Sequence, residues 1–120
     1  MQKLKITLVQ TNLVWEDVNA NLEQLEQKFS TIGETDLIVL PETFSTGFSM
    51  DSEKLAEPMD GLSMQWMVEM AKQSNAVIAG SLILKEEKIY NRFIWMRPDG
   101  TFEKYDKRHL FTMGNEHNHY

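Results

Sequence analysis

The sequence predicts an α/β fold with a mixed sheet, on three observations. Short apolar runs alternate with stretches of helical periodicity in the order β-α-β-α-β. Two of these runs, "DLIVLPE" and "NAVIAGSLIL", are continuously apolar, as strands covered on both faces would be. The last two β-rich runs flank a turn rich in proline and glycine, so they pair as a hairpin and the sheet is parallel early and antiparallel late.

Taken in order, the first strand covers Leu4 to Gln10, with Leu4, Ile6 and Leu8 on one face. A helix follows, because Val18, Leu22, Leu25, Phe29 and Ile32 recur at spacings of four and three. Asp17 can cap its start, and Gly33 follows its last apolar position. "DLIVL" forms a central strand that ends at Pro41. From Gly61 to Ser74, Leu62, Trp66 and Met70 with Met67 and Ala71 make a broad apolar stripe, hence a second helix. Eight methionines suggest an adaptable binding surface, but Met64, Met67 and Met70 share their helix with Trp66 at a spacing that reads as packed core. The strand "NAVIAGSLIL" comes next, then "KIYNRFIWM" and "TFEKYDK" on either side of Arg97-Pro98-Asp99-Gly100. No linker, repeat or low-complexity segment divides the chain, so residues 1–120 belong to a single domain without an internal boundary. The final "HLFTMGNEHNHY" is polar and loop-like and offers no element to close the sheet, so the chain reads as interrupted.

With 120 residues, 42% of them hydrophobic, the chain is long enough to bury a core. Twelve basic residues against eighteen acidic ones give a formal charge of −6. No block of lysine or arginine is present to track a phosphate backbone or an anionic membrane, so nucleic acid and membrane are not expected partners. Cysteine is absent, which excludes a disulfide framework, a thiolate metal site and a cysteine nucleophile within these residues. The start, "MQKLKITLVQTN", has too short an apolar run for a signal peptide, and no window approaches the ~20 apolar residues of a membrane span. A cytoplasmic protein is expected.

Glu42 follows a strand and a proline in "VLPETFSTGF", at the carboxyl end where α/β sheets build ligand sites. It is either a solvated strand end or a general base, the latter if apolar flanks desolvate it. In "YDKRHLF", Lys107 is either part of a solvated face or a fixed cation able to stabilise an oxyanion and hold Glu42 ionised. His109, His117 and His119 raise a metal site, but the tail has neither the supporting pattern nor the scaffold of one, and neither metal nor cofactor is expected. Glu116 is a surface acid or a second carboxylate near the same pocket.

Together, "LPETFSTGF" and "YDKRHLF", in that order and about sixty residues apart, resemble the nitrilase (carbon-nitrogen hydrolase) superfamily. The opening "ITLVQTNLVWEDVNANLEQ" is similar to that family's first strand and helix, and "NEHNHY" to its omega-amidase branch, which acts on 2-oxo acid amides. The resemblance covers the whole chain. It implies the amino-terminal half of an αββα sandwich with a mixed sheet, in a fold of roughly twice this length that pairs into homodimers and larger homo-oligomers. It also implies a site of glutamate, lysine and cysteine, in which Glu42 matches the glutamate and Lys107 the lysine. The cysteine lies on a later strand of the family and has no counterpart here, which fits truncation better than substitution. Glu116 falls where many members carry a second, supporting glutamate, and His109 and Phe111 would line or support the pocket. The implied function is hydrolysis of a small-molecule amide. The competing reading is a half-length chain that serves only as a binding or assembly subunit.

Overall fold

The computed structural model describes residues 3–108. Along the chain lie β1 (Ile6–Leu8), α1 (Val18–Phe29), β2 (Leu37–Val39), α2 (Ser52–Leu55), β3 (Glu57–Pro58), α3 (Leu62–Ser74), β4 (Val77–Lys85), β5 (Ile89–Met96) and β6 (Phe102–Asp106). The strands form one sheet in the order β1-β2-β4-β5-β6, with the short β3 added to β4. Pairing is parallel from β1 through β2 to β4 and antiparallel from β4 through β5 to β6. The parallel-then-antiparallel sheet read from the sequence is therefore the one observed.

Both main helices cover one side of this sheet. Leu22, Leu25 and Phe29 of α1 and Met64, Met67, Met70 and Ala71 of α3 pack with Ile38, Ile78, Leu82, Leu84, Ile94 and Met96 in one apolar cluster. The methionines of α3 are core, as their spacing implies. Side chains one residue out of step with that cluster point to the other side, and there the sheet is open to either side of β4 among the described residues. Ile6 and Leu8 are 52% and 74% exposed, and Phe93 and Tyr105 are 39% and 53% exposed. Continuous apolarity predicted strands covered on both faces. β4 meets that expectation, being buried from Ile78 to Leu84, whereas Leu37 and Val39 of β2 are only half-buried because no layer among the described residues covers them on that side.

The helix limits also differ in detail. Asp17 caps α1 as its sequence position suggests, accepting from the Ala20 N–H at 3.0 Å. The helix ends at Phe29, with Ser30 as its C-cap, so Ile32 and Gly33 lie beyond it. Hydroxyls end it early: Ser30 and Thr31 donate to the carbonyls of Gln27 and Lys28. At α3, Gly61 supplies no capping side chain. Glu57 does so instead, accepting from the Ser63 N–H at 2.9 Å and the Ser63 hydroxyl at 2.5 Å. Asn75 ends the helix at φ 49, the left-handed conformation that asparagine tolerates. The hairpin turn closes with Gly100 at φ 87 donating to the Arg97 carbonyl at 3.0 Å.

One buried charge ties the hairpin together. The Arg92 guanidinium is 4% exposed on the helical side. It donates to both oxygens of Asp106 at 2.6 and 3.1 Å, to Glu86, and to the Met59 sulfur at 3.3 Å. The Tyr90 ring lies 4.6 Å away. The Glu86 carboxyl is held below its ordinary range, first by Arg92 and then by Lys104, so its contribution to stability is present above the unfolded carboxylate range and is lost as pH falls through the folded value. Because breaking a buried pair strands its partner, Asp106→Ala should cost ~2–4 kcal/mol in urea denaturation. An unchanged midpoint would show that Glu86 and solvent suffice for Arg92.

Candidate active site

β2 ends at Val39, yet its alignment with β4 persists for one more bond: the Leu40 N–H reaches the Ala79 carbonyl at 2.8 Å. Pro41 has no N–H to continue the ladder. The next backbone bond to β4 comes from the Phe44 N–H to the Ser81 carbonyl at 3.3 Å. Leu40 and Phe44 are both buried in the core. Residues 41–43 between them arch away from the ladder, with Glu42 at the crest. The arch is held by Thr43, at φ 45, whose N–H donates to the Ser81 hydroxyl at 2.8 Å and whose own hydroxyl donates to the Glu42 carbonyl at 2.8 Å. Beyond it, the Thr43 carbonyl accepts from the N–H groups of Thr46 and Gly47. Fully buried Asn21 of α1 donates to the Ser45 carbonyl at 2.9 Å and so anchors this loop to the first helix.

Phe44 can lie where it does only because position 80 is glycine. A Cβ there would come within 2.8 Å of the Phe44 ring and 3.2 Å of the Leu40 Cβ.

From the other side of β4, the hairpin brings two donors to the same carboxylate. The Lys107 N–H donates to the Asn91 carbonyl at 2.9 Å, extending the β5–β6 ladder one residue past β6. The Lys107 Nζ then lies 2.9 Å from Glu42 Oε2, and the Asn91 Nδ2 lies 2.8 Å from the same oxygen. Lys107 Nζ is also 5.3 Å from the centre of the Phe48 ring. Of the two readings open for Lys107, a solvated face or a fixed cation, the geometry has the cation directed onto Glu42 across 65 residues of chain. Glu42 and Lys107 keep 46% and 30% of their side-chain surface exposed, so a small molecule can reach both. They border a cavity of about 390 Å³ with Leu40, Gly80, Ser81, Asn91, Phe93 and Tyr105, apolar walls with a few convergent polar groups. The arrangement can accept a proton at a carboxylate and stabilise a developing negative charge beside it.

His109, Phe111 and Glu116 lie outside the described residues, as do His117 and His119. Among the described residues no group of three acidic, histidine or cysteine side chains is gathered as metal ligands would be. Sequence reasoning missed Asn91 and Ser81. Ser81 carries a visible signal, a polar residue set inside the otherwise apolar "AGSLIL", whereas Asn91 sits beside Arg92 in the mixed run "IYNRFI" and does not stand out.

Residues 5–119 match the carbon-nitrogen hydrolase family. The chain belongs to that family. It is 46% identical over its whole length to the omega-amidase YafV of Escherichia coli strain K12, and covers 47% of that protein. To the omega-amidase YafV of Yersinia enterocolitica it is 43% identical, again covering 47%. A carbon-nitrogen hydrolase superfamily protein of Xanthomonas campestris, solved with an arsenic adduct in its active site, superposes at a TM-score of 0.95 with 42% identity, over 100% of this chain and 46% of that one. Nit3 of Saccharomyces cerevisiae, a member of branch 10 of the nitrilase superfamily, superposes at 0.77 with 28% identity, over 94% of this chain and 47% of that one. This carbon-nitrogen hydrolase chain thus spans about half the length of the curated relatives it matches.

The Ser81 hydroxyl is the acceptor for a buried backbone N–H in a left-handed residue. Ser81→Ala should therefore cost ~1–3 kcal/mol. The check is the urea midpoint, and a value equal to wild type would mean that Thr43 does not depend on Ser81.

Proposed function

We propose that this chain is the amino-terminal part of an amidase that hydrolyses small-molecule amides, of omega-amidase type and acting on 2-oxo acid amides. Glu42 is its base, Lys107 its oxyanion partner, and its nucleophile is a cysteine outside these residues. The observation that carries this reading is the convergence of Lys107 and Asn91 on one oxygen of Glu42 at the edge of an apolar cavity. The names of the relatives support the substrate class.

In the proposed reaction, Glu42 takes the thiol proton as sulfur bonds to the amide carbonyl carbon, and the carbonyl electron pair moves to oxygen beside the Lys107 ammonium. Collapse of this adduct breaks the carbon-nitrogen bond, and the proton held by Glu42 leaves with ammonia. Water then attacks the thioester while Glu42 takes its proton, the carbon-sulfur bond breaks, and the proton returns to the thiolate. One amide and one water give one acid and one ammonia. The covalent route divides the expulsion of a poor leaving group from the attack of water. His109 and Phe111 line or support the pocket in this reading, and Glu116 is the supporting carboxylate.

The open side of the sheet, with Ile6, Leu8, Phe93 and Tyr105 exposed, supports a second sheet packing there to complete an αββα sandwich within a single domain. The same reading includes homo-oligomeric assembly and a cytoplasmic location. Among the described residues no helix is long and apolar enough to cross a membrane.

In the full-length protein, Glu42→Gln keeps shape but removes the base, so ammonia release from a 2-oxo acid amide should fall ~10²-fold or more with folding unchanged. Retained turnover in a folded variant would exclude Glu42 as the base. Lys107→Met keeps most of the apolar stem and should lower kcat by ~10²–10³. Weak binding with normal kcat would make Lys107 a binding residue instead.

A further inference from the structure

We propose that Asn91 is a positioning residue that holds Glu42 by Oε2 and thereby makes Oε1 the oxygen that receives the proton. This rests on the reading of Glu42 as the base. Glu42 sits on an arch outside the strand ladder with nearly half its side chain exposed, and a glutamate so placed has several rotatable bonds and would sample many orientations. Asn91 is the opposite kind of residue. It lies within β5, 3% exposed, and its main-chain carbonyl accepts from the Lys107 backbone N–H. Its amide is thus a fixed donor facing a mobile acceptor, at 2.8 Å.

The chemistry of the two donors selects the oxygen. Lys107 Nζ and Asn91 Nδ2 both donate to Oε2, while Oε1 has no partner among the described residues. A proton on Oε2 would oppose both donors. A proton on Oε1 leaves Oε2 as a carbonyl oxygen that still accepts from both. Glu42 can therefore take and return a proton at Oε1 without releasing either anchor. A neutral amide suits this role, because it still donates to the carbonyl oxygen of the acid and favours the carboxylate less strongly than a second cation would.

The test compares Asn91→Leu and Asn91→Asp with wild type and with Glu42→Gln, all in the full-length enzyme, following ammonia release from a 2-oxo acid amide. Asn91→Leu removes the donor at similar size, and Asn91→Asp replaces it with an acceptor. Each should lower kcat by ~10–10²-fold with KM within about threefold, because misplacement of a reacting group lowers turnover more than binding. Asn91→Ser, which retains a short donor, should recover part of the loss. In the Glu42→Gln background, Asn91→Leu should cost less than about twofold more, because a residue that acts through Glu42 has little left to act on. Losses that multiply in full would mean that Asn91 serves the fold rather than Glu42, and would overturn the proposal. So would wild-type kcat in a folded Asn91→Leu, even with Glu42→Gln inactive. If Asn91→Leu does not fold, Asn91→Asp and Asn91→Ser give the same comparison. Wild-type turnover by Glu42→Gln itself would instead overturn the base reading on which this proposal stands.

Discussion

The missing side chain at Gly80 sets where Glu42 stands. β4 passes directly beneath the Phe44 ring, and a single methyl group there would meet the ring at 2.8 Å. Phe44 is fully buried, with its ring 5.6 Å from Trp66, which in turn is 5.5 Å from Phe29. The same ring thus joins the chain after β2 to both helices. With Leu40 and Phe44 each committed to the core, the three residues between them have no place in the ladder and must arch outward. Glu42 owes its exposure to that arch.

Register supplies the other half. The β4–β5 and β5–β6 pairings set Asn91 opposite Ile83 and Arg92 opposite Asp106, which leaves Lys107 beside Asn91 on the open side of the sheet. A slip of one residue in the hairpin would reverse this, sending Lys107 toward the helices and Arg92 away from its carboxylates. The Arg92 cluster therefore does more than stabilise the hairpin. Its bidentate pair with Asp106 is incompatible with the slipped register, so it fixes the strand that delivers Lys107. The order of polar residues, Asn91-Arg92 on one strand and Asp106-Lys107 on the next, alternates the buried ion pair with the site contacts on opposite faces.

Much of the fold was legible in the sequence because it rests on periodicity. The stripe of Met64, Met67 and Met70 and the continuous run of β4 each announce a core position, and the Arg97–Gly100 turn announces a hairpin. Glu42 and Lys107 were legible as candidates through position and motif. Their meeting was not, because contact across 65 residues depends on strand order and register, which no local pattern encodes. Asn91, Ser81 and Gly80 went unread for a related reason. Gly80 and Ser81 break an apolar strand and Asn91 lies in a mixed one, but each acquires meaning only once a second segment lies against it. The short α2 and β3 were missed because four and two residues are too few to show a period.

The glycine beneath Phe44 is responsible for where Glu42 stands, and the turnover of Gly80→Ala in the proposed amidase tests this most directly. The added methyl must displace Phe44 and with it the arch, so a folded Gly80→Ala should lose ~10-fold or more in kcat while its KM changes little. A folded Gly80→Ala with the kcat of wild type would contradict the claim that this contact positions the site.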